Sequence, residues 1–138
     1  SMAAYTESKN LPGFGHWLKV QAKEEKGHAM KMFDFLIDRG AKVILRAIPQ
    51  PPTDFSSPEE IFEKTLEHEK KVTNLIHKLY KLSKELEDNA SAIFLQWFIS
   101  EQVEEEKNAQ QILETLRAVK SHPAALIILD KELAKREG

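Results

Sequence analysis

The chain has 138 residues, with 20 basic against 22 acidic side chains and a formal net charge of −2; this fits one domain and excludes the clustered basic excess that nucleic acid binding needs. It contains no cysteine, so disulfides and thiolate metal sites are excluded, and any metal must be held by oxygen and imidazole. No apolar run approaches the roughly 18 residues that span a bilayer, and SMAAYTESKN lacks the charged head and apolar centre of a signal peptide, so a cytoplasmic protein with no membrane partner is expected.

After a short opening segment, Pro12-Gly13 begins the first long predicted helix, which runs to about Arg39 and is stopped by Gly40 in the manner of a helix C-terminus. Its seam is Phe14, Leu18, Gln21, Glu25, His28, Met32 and Phe35, with gaps alternating four and three, the pattern of a helix packed lengthwise in a bundle. Residues 41 to 56, AKVILRAIPQPPTDFS, are too proline-rich for helix and too apolar for a free linker, and are read as an extended crossover. Ser57 as cap, Pro58 at the first position and Glu60 completing a capping box open the next helix. Its stripe is Phe62, Leu66, Glu69, Val72, Ile76 and Leu79, and its end is expected near Asp88. Asp88 or Asn89 can cap a third long helix over about 90 to 120, with the seam Phe98, Gln102, Glu105, Ala109, Ile112, Leu116 and Val119. Pro123 begins a short last helix that is apolar on more than one face, which suggests a subunit contact. The predicted fold class is all-α.

Each long seam is interrupted by a carboxylate: Glu25, Glu69 and Glu105. His28 lies one turn after Glu25, and Gln102 one turn before Glu105. Carboxylates brought together inside a bundle repel and are poorly solvated without a cation. A divalent metal pair resolves the conflict, because Glu-x-x-His joined by Glu from neighbouring helices is the donor set of di-iron and di-manganese bundles. A single Glu-x-x-His on a charged helix is common; the matching breaks in two further helices carry the metal reading. The remaining residues take structural readings. Trp17 and Trp97 are packing residues, Met2, Met30 and Met32 are gap-fillers, and Lys70-Lys71 is a solvated face. His68 points about 100° away from Glu69 around its helix, and no partner set is evident for His16, His77 or His122.

The stretches NLPGFGHWLKVQAKEEKGHAMKMFDFLIDRG, LEHEKKVT, FLQWFISEQVEEE and LIILDKEL together resemble the non-haem ferritins of the bacterial and archaeal type, along essentially the whole chain. The resemblance implies a single ferritin-like domain over residues 1 to 138: a four-helix bundle with a long crossover and a short C-terminal helix. It also implies that most of the family's first helix is missing ahead of Ser1, and with it a glutamate ligand of the first iron.

In function, the resemblance implies an iron-storage protein with ferroxidase activity, oxidising Fe(II) with dioxygen and holding ferric mineral in a homo-oligomeric 24-subunit shell. Glu25 would bridge two irons, His28 would bind the first, and Glu69 and Glu105 the second. Glu24, Glu101 and Glu104, with Glu105, would surround a third iron site, and Gln102 would bind metal or water beside the centre. Glu105 stands where bacterioferritins and rubrerythrins usually carry a second histidine, which favours the storage branch. The alternative is a truncated or engineered ferritin-derived assembly scaffold without ferroxidase activity. A substrate oxygenase or peroxidase using the same metals is a third reading.

Overall fold

The computed structural model describes residues 1–137, and among them the regular structure is helical: α1 (Met2–Ser8), α2 (Pro12–Asp38), α3 (Pro58–Glu85), α4 (Asn89–Val119) and α5 (Pro123–Leu133). By internal contact the chain divides into two units, Ser1–Phe55 with the segment from His122 onward, and Ser56–Ser121.

In the first unit, α1 and α5 both pack on α2. Leu11 precedes α2 without a side-chain cap, so the amides of the first turn need acceptors from elsewhere. Asp130 of α5 supplies one: its Oδ1 accepts from the buried Phe14 N–H at 3.0 Å. This approach requires glycine beneath it, since a Cβ on Gly13 would sit 1.7 Å from the Asp130 carbonyl oxygen. On the other side Glu7 of α1 reaches over Gly15 and pairs with Lys19 at 2.7 Å. Phe14 and Thr6 are fully enclosed, and Leu11, Trp17, Leu18, Val20 and Leu133 are buried with them. These contacts hold the N-terminal half of α2. Beyond Gln21 the predicted seam is only half-buried at Glu25, His28, Met32 and Phe35.

Three helices end the same way. Leu11 N donates to Thr6 O and Asn10 N to Glu7 O after α1; Ala41 N to Leu36 O and Gly40 N to Ile37 O after α2; Asp88 N to Ser83 O and Glu87 N to Lys84 O after α3. Each is a Schellman motif, whose residue after the cap takes left-handed backbone. Asn10, Gly40 and Glu87 have φ of 57°, 70° and 55°. Gly40 is thus the stop expected from sequence, whereas Glu87 fills a position where side chains are disfavoured. Its turn ends α3 at Glu85, earlier than the expected Asp88, and releases Asp88 to cap α4 by accepting from Ser91 N at 3.1 Å and Ser91 Oγ at 2.7 Å.

The second unit is the antiparallel α3–α4 hairpin, the densest pair of elements in the chain. Ser57 caps α3 by accepting from Glu60 N at 3.1 Å. The return half of the expected capping box is displaced by one residue, because Glu60 Oε2 accepts from Ser56 N and Ser56 Oγ, both at 2.6 Å. Ile61, Phe62, Leu66 and Ile76 of α3 and Ala92, Leu95, Phe98, Ala109, Leu113 and Leu116 of α4 form the buried apolar stripes. Leu79, expected on the α3 stripe, is instead 48 % exposed. Residues 41 to 54 have no regular structure and are exposed except at Val43, while Phe55 is buried and meets the Tyr5 ring edge-on at 5.5 Å.

Candidate metal centre

The helical repeat puts Gln21, Glu25 and His28 on one face of α2. Gln21 Nε2 donates to Glu25 Oε1 at 3.2 Å, and His28 Nδ1 lies 3.6 Å from Glu25 Oε2. The glutamate is held from the preceding turn while the imidazole stands beside its other oxygen. The His28 side chain is 15 % exposed and that of Glu25 41 %, so this pair is neither solvated surface nor sealed core. The expected grouping of Glu25 with His28 is present, and Gln21 joins it as a positioning contact that the seam alone did not assign.

The second unit holds two buried glutamates. Glu69 on α3 and Glu105 on α4 are 4 % and 5 % exposed, and Gln102 is 4 % exposed. Gln102 Nε2 lies 3.2 Å from both Glu69 Oε2 and the Glu69 carbonyl, and 3.3 Å from Thr73 Oγ1. This amide ties the glutamate's side chain and backbone to the facing helix. A neutral donor satisfies lone pairs but leaves the carboxylate charge in place, and a buried charge calls for a cation or a proton. Thr73 Oγ1 is also 2.6 Å from Glu106 Oε1 and 3.0 Å from Glu69 O. Thr73 and Glu106 thus extend the network across the hairpin. Sequence reading missed both, because each lies one step off the apolar stripe.

The three remaining expected ligands differ from one another. Glu101 is half-buried and Glu104 exposed, and, three residues apart, both lie on the same side of the Gln102–Glu105 face. Glu24 is half-buried and forms an ion pair with Arg136. Among the structural readings, His68 is 66 % exposed, yet its Nδ1 lies 4.0 Å from Glu69 Oε1, closer than its position around the helix suggests. Met30 is 44 % exposed, so it does not fill the core. Trp17 is buried and Trp97 partly exposed. His16, for which no partner was evident, has its Nε2 2.8 Å from the Arg136 carbonyl.

Taken together, α2 carries a carboxylate–imidazole pair, and the hairpin carries two buried carboxylates steadied by an amide. Hard oxygen donors with one imidazole suit iron and exclude preferences for soft thiolate metals. No helix among the described residues is long and apolar enough to cross a membrane.

Comparison with known proteins supplies the context. The sequence model of the ferritin-like domain matches residues 1–119. A bacterial non-heme ferritin of Bacteroides fragilis is 38 % identical over 136 residues, covering 99 % of this chain and 84 % of that protein. One of Staphylococcus aureus is 37 % identical over 136 residues, covering 99 % and 82 %. Among solved structures, an open-pore ferritin from the hyperthermophilic archaeon Archaeoglobus fulgidus superposes with a TM-score of 0.97 at 47 % identity, covering 99 % of this chain and 84 % of that one.

Proposed function

The chain belongs to the ferritin-like family and has its all-α fold, and from that premise we propose that it stores iron and acts as a ferroxidase. Glu25, His28, Glu69 and Glu105 are the ligands of a dinuclear iron centre, with Fe(II) and dioxygen as substrates. Glu25 would be shared by the two irons, His28 would hold the first, and Glu69 with Glu105 the second. Gln102 positions Glu69 beside the metal. Glu24, Glu101, Glu104 and Glu105 serve a third, more exchangeable iron.

The observation that supports this most is the burial of Glu69 and Glu105, at 4 % and 5 % exposure within the hairpin, with Gln102 donating to Glu69. Two carboxylates kept this far from water cost several kcal/mol per charge, of order, unless a cation offsets them. The chain's part in the reaction is to position and neutralise. With iron bound, its carboxylates would offset the metal charge and favour the harder ferric ion. No side chain serves as a nucleophile.

The same reading makes the protein a cytoplasmic homo-oligomer forming a 24-subunit shell. Ile44, Leu45 and Ile48 are 69 %, 83 % and 91 % exposed, an apolar row that fits burial against another copy. Aerobic Fe(II) oxidation tests the proposal. Glu69→Ala and Glu25→Ala should each slow it by at least about tenfold, as loss of a metal ligand does. Oxidation at the parent rate in both variants, or no faster than in buffer for the parent, overturns it in favour of an assembly scaffold.

A further inference from the structure

The C-terminal segment after α5 closes back on α2 through one residue. Arg136 places its guanidinium carbon 4.2 Å from the centroid of the Trp17 ring. Its Nη1 lies 3.4 Å from the Trp17 carbonyl, and its own carbonyl meets His16 Nε2 at 2.8 Å. Its Nη2 donates to Glu24 Oε2. The Arg136 side chain is only 17 % exposed and that of Glu24 35 %. Stacking, two backbone contacts and a charge-assisted hydrogen bond therefore fix one arginine on one carboxylate.

We propose that Arg136 is a positioning residue that holds one oxygen of Glu24, so that a divalent cation gains both oxygens of that carboxylate only by displacing the guanidinium. This rests on the assignment of Glu24 to a cation site made above and gives that site a regulator within the chain. The guanidinium holds Oε2 and its charge repels a cation at the same carboxylate, so bidentate binding requires it to leave. Displacement also ends the stacking on Trp17. Occupancy of Glu24 is thereby coupled to release of the segment that follows α5. The proposed dinuclear ligands Glu25 and His28 lie one and four residues further along α2, so the tighter class of sites serves as the internal reference.

Anaerobic Fe(II) titration calorimetry on the full chain, with Arg136→Ala, Glu24→Gln and the double variant, tests the coupling. A charge-assisted bond of this kind corresponds to about a tenfold change in an equilibrium constant, so Arg136→Ala should tighten the weaker class of sites about tenfold and leave the tighter class as it was. The effect should vanish in the Glu24→Gln background. Trp17 emission, read in Trp97→Phe, should change as the weak class fills in the parent and not in Arg136→Ala. Arg136→Ala without effect on the weak class, or an effect that persists with Glu24→Gln, overturns the proposal while the cation role of Glu24 stands. A weak class unaltered by Glu24→Gln alone removes that assignment, and the proposal with it.

Discussion

Gly13→Ala is the sharpest test of how α5 is fastened. The new methyl carbon would begin 1.7 Å from the carbonyl oxygen of Asp130, and because that obstacle is backbone, no rotamer change relieves it. The helices must separate by about 1.5 Å or more to restore ordinary contact. That movement breaks the 3.0 Å bond from Phe14 N–H to Asp130 Oδ1, a charged-acceptor bond of about 1.5–3 kcal/mol. It also re-exposes part of Leu133, now 8 % exposed, for about another 1 kcal/mol. Alanine's better helix propensity returns up to about 1 kcal/mol. A net loss of about 2–3 kcal/mol is therefore expected in guanidinium unfolding of the variant against the parent, with faster amide exchange in α5 than in the hairpin. An unchanged midpoint, or a gain of the size propensity alone predicts, would refute this account of the α2–α5 contact.

The left-handed Glu87 makes the opposite prediction: Glu87→Gly should stabilise the chain by about 0.5–1 kcal/mol in the same assay, since glycine adopts φ of 55° without strain. Ser57→Ala removes the acceptor for Glu60 N and should cost about 1 kcal/mol. The Ser56 hydroxyl, then the Ser56 N–H and then Lys64 hold the Glu60 carboxyl well below its usual value of 4.5, down to about 2. Its folded value is depressed, so its contribution is complete above about pH 4.5 and is lost as pH falls toward 2. A carboxyl NMR titration should place the midpoint near that value, and Ser56→Ala should move it upward.

How far the sequence could be read follows from the distance over which each interaction acts. Period and punctuation within one segment placed the helices: the seam from Phe14, the glycine stop at Gly40, and the Ser57-Pro58 start all match within a residue or two. The Glu25–His28 pair was legible for the same reason, being one turn of one helix. The Glu60 return bond missed by one residue because adjacent serines offer equivalent donors. Asp130 to Phe14 and Arg136 to Glu24 join residues 116 and 112 apart, and nothing in a local pattern encodes such a register. Thr73 with Glu106 depends on how two helix faces align. Glu87 was hidden for another reason: its turn is imposed by the surrounding hydrogen bonds, and no glycine advertises it.

The interleaved order of the two units has a consequence for how the chain is made. The hairpin is a single uninterrupted stretch, Ser56–Ser121, whereas the other unit needs both ends of the sequence. Cross-helix bonds in the hairpin span 29 to 61 residues, against 116 for the bond that fastens α5 to α2. The longer closure costs only about 1 kcal/mol more in loop entropy, so the difference is one of sequence in time rather than of stability. During synthesis the hairpin can form as soon as α4 leaves the ribosome, while α2 waits with Gly13 uncovered until α5 emerges. α5, made after the hairpin, thus completes a unit that was begun before it.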